Sequence, residues 1–133
     1  MRLYLDANAI IYSIEAAPPA RDAVIARILQ AEQAPDGLII TSRLSRLACR
    51  VKPLRELDSA LLATYDAFFS RRLLKIVEVS AAVIERATEL RSRYGFRTPD
   101  AIHLATAVEE SADVFLTGDT RLSRCTEVRV EVL

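Results

Sequence analysis

The feature that most constrains this chain is a steady turnover between short apolar runs and longer stretches of helical periodicity. Arg2 to Leu5 reads as a strand ending at Asp6, and Ile10, Ile11 and Ile14 follow at helical spacing. Pro18 and Pro19 suit the first turn of a second helix, with Val24, Ile25, Ile28 and Leu29 as its apolar face. Ala34 to Gly37 is a turn, Leu38 to Ile40 a buried strand, and Ser42 can cap the next helix. Pro53 predicts a break or restart there, followed by a stripe of Leu54, Leu57, Leu61, Tyr65 and Phe68. Leu74 to Val79 is a third strand. Ser80 caps a helix carrying Val83, Ile84, Ala87, Leu90 and Tyr94, which Gly95 stops. Thr98 is expected to cap another helix, with Pro99 at its first position and Asp100 in its first turn. Val114 to Leu116 and Val128 to Val132 complete the strands. Such alternation requires right-handed crossovers and gives a mostly parallel sheet covered on both faces. The expectation is an α/β fold, with a sheet of four to five strands flanked by helices, in a single domain spanning residues 1–133.

Composition narrows the functional classes. With 133 residues, 51% of them apolar, and three glycines, the chain can bury a real core and is not a disordered segment. No apolar run approaches the roughly 20 residues of a membrane helix. The start, MRLYLDANAI, does not read as a secretory leader, so a cytoplasmic protein with no membrane partner is expected. Cys49 and Cys125 form no CxxC pair and read as buried, reduced thiols. Eighteen basic residues balance eighteen acidic ones, yet Arg43, Arg46, Arg50, Lys52 and Arg55 lie together with no acid among them.

Three aspartates stand at strand–helix junctions: Asp6 after the first strand, Asp119 after the fourth, and Asp100 at a helix start. Singly, each reads as a helix cap or a complement to a helix dipole. Together they are candidates for one site, because the carboxyl ends of parallel strands share an edge where ligands bind. Crowded carboxylates call for a cation between them. Mg²⁺ (or Mn²⁺), taking oxygen ligands and keeping several waters, suits such a set and can activate water against a phosphodiester.

Four segments carry a resemblance to a known family. LDANAIIY at Leu5 to Tyr12, TSRLSRLACRVKPLRE at Thr41 to Glu56, TPDAIHLATA at Thr98 to Ala107 and LTGDTRL at Leu116 to Leu122 resemble, in order, motifs of PIN-domain ribonucleases of the VapC toxin type. The resemblance implies a three-layer PIN-like fold and a metal-dependent endoribonuclease. Its partners would be RNA, a VapB-like antitoxin that threads a peptide across the active-site groove, and a second copy in a homodimer. It gives Asp6 and Asp100 the roles of metal-binding, catalytic acids, and Asp119 that of the later catalytic acid, which supports the metal or its waters. Thr117 is the hydroxyl residue beside Asp119, and Asn8 the group that orients Asp6.

One position departs from the pattern. Ser42 and Ser45 match the middle motif, but its glutamate falls on Ala48, whose methyl group can neither hold a metal-bound water nor accept a proton. Catalysis in this copy is expected to be weakened or absent, and a non-catalytic module binding antitoxin or RNA is the alternative. A phosphoacceptor receiver domain fits poorly, since it needs paired acids near the N-terminus and a late lysine, and the only lysines are Lys52 and Lys75. His103 lies one helical turn after Asp100, and a packed, hydrogen-bonded histidine is expected there rather than a ligand or base. Arg43, Arg46 and Arg50 share a helix face and are candidates for RNA phosphates, or for an ordinary solvated face.

Overall fold

The computed structural model describes residues 1–133. The elements run β1 (Arg2–Leu5), α1 (Ala7–Glu15), α2 (Pro18–Gln33), β2 (Leu38–Ser42), α3 (Arg43–Arg55), α4 (Ser59–Phe69), β3 (Leu74–Val77), α5 (Ala81–Tyr94), α6 (Thr98–Glu109), β4 (Val114–Thr117), a 3₁₀ turn (Thr120–Arg124) and β5 (Val130–Val132). The strands form one sheet in the order β3-β2-β1-β4-β5, with every pairing parallel. The α/β expectation therefore stands, and β1 occupies the centre.

Side chains alternate across the sheet and both faces are covered, so the strands are apolar throughout. Leu3, Leu5, Ile39, Val114 and Leu116 pack under α1 to α4, while Tyr4, Ile40 and Phe115 pack under α5 and α6. Each such leucine, fully withdrawn from water, contributes about 1.5–3 kcal/mol.

Several local expectations shift. Pro53 sits inside the last turn of α3 instead of breaking it, and the chain turns away only at Leu57. There Leu57 adopts a left-handed φ of 55°, the Asp58 amide donates to the Pro53 carbonyl at 2.9 Å and the Leu57 amide to Leu54 at 3.4 Å. This is the Schellman closure usually given to glycine. It splits the expected stripe: Tyr65 and Phe68 are buried, whereas Leu54 is half exposed and Leu57 is 89% exposed. On α2, Val24 and Ile28 are buried but Ile25 and Leu29 are exposed. Arg97, not Thr98, is the N-cap of α6 and gives no side-chain cap, so Thr98 and Pro99 are its first two residues. Ser42, Ser80 and Gly95 cap as expected. β3 stops at Val77, and Val128 joins the core without joining β5.

Candidate functional site at the carboxyl edge of the sheet

Register builds the centre of the site. Leu5 pairs with Leu116, so Asp6 and Thr117 emerge side by side at the carboxyl edge. Asp6 caps α1, its Oδ1 accepting from the Ala9 amide at 2.8 Å, while Oδ2 accepts from the Thr117 hydroxyl at 2.6 Å. Thr117 Oγ1 in turn accepts the Asp119 amide at 3.0 Å. Its single proton is thereby committed to Asp6, and both carboxylate oxygens are fixed in direction.

The plain helix-cap reading of Asp6 is correct but incomplete. Asp58 caps α4 in the same way, accepting from the Leu61 amide, yet it lies in the open. Asp6 is only 5% exposed. Burial pushes its pKa up to about 6 against the pull of the Thr117 and Ala9 hydrogen bonds, and the nearby charges of Asp100 and Asp119 add to the rise. No cation pairs with it.

Asp100 and Asp6 line one cavity of about 240 Å³, with Asn8, Leu44, Ala48 and His103 around them. Ala48 reaches this wall because Ser45, fully buried, hydrogen-bonds Thr41 at 2.7 Å, and Thr41 donates to the Leu5 carbonyl at 2.8 Å. The first turn of α3 is thus tied to β1 and β2, and the second turn presents position 48. Arg97 pairs with Asp100 at 3.3 Å.

His103 is the buried, hydrogen-bonded residue expected. Its Nδ1 lies 2.7 Å from the Tyr4 hydroxyl, whose ring stacks on Phe115. Burial raises the Tyr4 pKa well above its usual range, so the phenol stays a neutral donor and Nδ1 accepts. The imidazole proton then belongs on Nε2. Burial pulls the His103 pKa down to about 4, leaving the ring neutral at physiological pH.

Other candidates sit differently. Asp119 is not on the cavity wall with Asp6 and Asp100. It is gripped by Arg121, whose Nη2 approaches to 2.6 Å and whose Nε and amide add bonds of about 3 Å. That clamp holds the Asp119 carboxyl below the usual carboxylate range. Asn8 lines the cavity but does not orient Asp6; Thr117 and the Ala9 amide do. The basic face of α3 has internal partners: Arg43 pairs with Glu78, Arg50 with Asp66, and Arg46 lies over the Phe69 ring. The arginines beside the acids are Arg97, Arg121 and Arg124, which sequence reasoning passes over. Arg97 directly precedes one motif already singled out and Arg121 lies inside another, and that proximity is the signal that could have found them.

No three carboxylate, imidazole or thiol groups stand close enough to form a ready cage for a metal. The donors nonetheless fit a hard divalent cation: two carboxylates face one cavity, and the deeper one lacks any positive partner. Mg²⁺ needs few protein oxygens and retains water.

Comparison with known proteins agrees with this architecture. A family model described as the PIN domain matches residues 3–128. The fold is similar to that of VapBC2 from Rickettsia felis bound to a promoter DNA fragment, with a TM-score of 0.81, 19% identity, and coverage of 99% of this chain and 98% of that one. It is also similar to DNA-bound VapBC from Salmonella typhimurium (TM-score 0.76, 16% identity, 99% and 98% covered). VapC20 of Mycobacterium tuberculosis, a sarcin-ricin loop cleaving toxin, superposes with a TM-score of 0.72 at 17% identity, covering 96% and 98%. A search of curated protein sequences finds no match.

Proposed function

The chain belongs to the PIN-domain family, and on that premise we propose that it is the toxin of a type II toxin–antitoxin pair, built as a Mg²⁺-dependent endoribonuclease. The observation that carries this reading is the shared cavity of Asp6 and Asp100 at the carboxyl edge, with position 48 on its wall. Asp6 and Asp100 are the acids that would hold the ion, and Asp119, off that cavity wall and gripped by Arg121, would support it or its waters from outside. Bound there, Mg²⁺ (or Mn²⁺) supplies an activated water and offsets charge on the phosphodiester.

The chain's own residues supply orientation and exclusion of bulk water. Thr117 and the Ala9 amide aim the Asp6 carboxylate, and the burial that raises its pKa makes a cation a better neighbour than water. Arg97 and Arg121 stand on Asp100 and Asp119, and must yield those oxygens before the acids can serve. Ala48 brings no carboxylate to the wall, so this copy has weak activity or none. That same residue favours the second reading, a non-catalytic PIN module binding antitoxin or RNA. For the VapB-like antitoxin we assign the groove of about 250 Å³ between α1, α2 and α4, where Ile25 and Leu29 remain exposed. The exposed row Leu47, Val51 and Leu54 on α3 is the face we assign to a homodimer.

The decisive experiment is Ala48→Glu assayed on structured RNAs with Mg²⁺ or Mn²⁺. Restoring the acid is expected to raise cleavage by several powers of ten, on the order of 4 kcal/mol of barrier. Ala48→Gln, matching size without charge, is expected to stay nearly inactive. Absence of cleavage by the glutamate variant across a broad RNA panel would remove the nuclease reading and leave the binding module.

A further inference from the structure

Beside the acid cavity, and sharing Arg97 and Asp100 with it, lies a second, smaller notch of about 80 Å³. Its rim is Arg97, Arg121 and Arg124, brought together by the start of α6 and the 3₁₀ turn. Phe96 and Leu122, both buried, form part of its wall. Three guanidinium groups around one small depression repel one another, and Asp100 is the only carboxylate on the lining. Asp119 takes up part of the charge of Arg121 from outside.

The spare hydrogen-bonding capacity is substantial. Arg97 uses Nε on Asp100, Arg121 uses Nε and Nη2 on Asp119, and Arg124 uses Nη2 on the Tyr94 carbonyl. Each guanidinium carries five N–H donors, so both Nη groups of Arg97 and the Nη1 groups of Arg121 and Arg124 remain without partners in the chain. Arg124 is held over the Phe96 ring at 5.2 Å, which pre-orders it at little entropic cost.

We propose that this notch is a phosphate-binding subsite of the RNA groove, taking a backbone phosphate adjacent to the one at the acid cavity. The inference rests on the nuclease reading above. A tetrahedral phosphate group offers several acceptor oxygens to forked donors arriving from three sides, which suits arginine better than a single carboxylate would. The notch also gives the groove a positive station next to acids that would otherwise repel RNA. The α3 arginines lack this arrangement, because each stands alone on its own internal partner.

The test is fluorescence anisotropy of a fluorescein-labelled RNA hairpin in Ca²⁺ over a range of KCl, with no cleavage required. Arg97→Gln, Arg121→Gln and Arg124→Gln are each expected to weaken binding about 3- to 10-fold. Each should also flatten the slope of log Kd against log salt by roughly 0.7–0.9 for every phosphate no longer neutralised. Arg43→Gln and Arg50→Gln should leave both quantities unchanged. Thermal melts accompany each variant, and Arg→Lys at the same three positions, which keeps the charge, should retain the salt slope if a glutamine variant unfolds. Unaltered affinity and slope in folded notch variants would overturn the subsite while leaving the nuclease reading intact. Dependence of a glutamate-rich peptide, and not RNA, on the three arginines would overturn it in favour of a protein ligand. A wild-type chain that binds no RNA would also overturn it, and the nuclease reading falls with it only if Ala48→Glu cleaves nothing.

Discussion

At the amino end of the sheet, Arg2 and Lys75 both reach Glu110, and the Arg2 amide donates to Asp113 at 2.7 Å. At the carboxyl end, Arg97 and Arg121 take the two outer acids while the innermost, Asp6, has only hydroxyl and amide donors. Both ends hold acids and bases in similar number, yet they differ in where the uncompensated charge lies. The amino end matches charges near the surface, which fastens helix and strand termini together cheaply. The carboxyl end places its deepest carboxylate where only a proton or an incoming cation can satisfy it. Charge pairing marks the first as scaffold, and its absence marks the second as a site.

Neutralising Asp6 is expected to break this contrast with the largest effect. A carboxyl whose pKa is raised when folded contributes stability that is fully present below about pH 4 and is lost as pH rises through about 6. Asp6→Asn should therefore stabilise the metal-free protein at pH 7 by roughly 2–3 kcal/mol, taking 1.36 kcal/mol per pKa unit. Urea denaturation with and without Mg²⁺ measures this, and Mg²⁺ should stabilise the wild type but not the variant.

His103 has the opposite sign. Its pKa falls to about 4 on folding, so its contribution is present above about 6.5 and is lost as pH drops toward 4. Between pH 4 and 6 the two groups nearly cancel, and the wild type should show a shallow stability profile there. His103→Asn, whose amide oxygen can still accept from Tyr4, should expose a fall in stability with rising pH of about 2 kcal/mol over that range. A profile identical to wild type would mean the ring is protonated in the fold. Because the chain has one histidine, a single imidazole NMR signal also reports the Nε2–H tautomer directly.

Thr117→Val sharpens the comparison more modestly. It leaves Asp6 Oδ2 without its donor and should cost about 1–3 kcal/mol at neutral pH, while raising the Asp6 pKa further. The smallest effect belongs to the amino end. Lys75→Gln removes one exposed pair and should cost no more than about 1 kcal/mol, less in high salt.

What can be read in the sequence follows the range of the interactions involved. Ser42, Ser80 and Gly95 cap through bonds within a few residues, and their roles are plain from local chemistry. The positions of Asp6 and Asp100 follow from strand–helix alternation and motif order. Pro53 signals a break too early because Leu57 accepts a left-handed conformation usually reserved for glycine, moving the turn four residues on. Asn8 looks like the support of Asp6 because it is near in sequence, whereas Thr117 arrives through β1–β4 register. The basic stripe of α3 is visible, but Glu78, Asp66 and Phe69, which engage it, come from other parts of the chain. The arginines beside the acids are gathered only in the fold, where the start of α6 and the 3₁₀ turn line one notch.

The central placement of β1 has a consequence for how such a molecule is made. Asp6 is synthesised 111 positions ahead of its partner Thr117. Translation at roughly 5–20 residues per second separates the two by several seconds, and pairing across such a span is slow compared with local helix formation. Nascent and prematurely terminated chains therefore hold the first acid without the strand that aims it. The edge is complete only once β4 has been made and paired with β1, so no finished site exists before Thr117 has been synthesised.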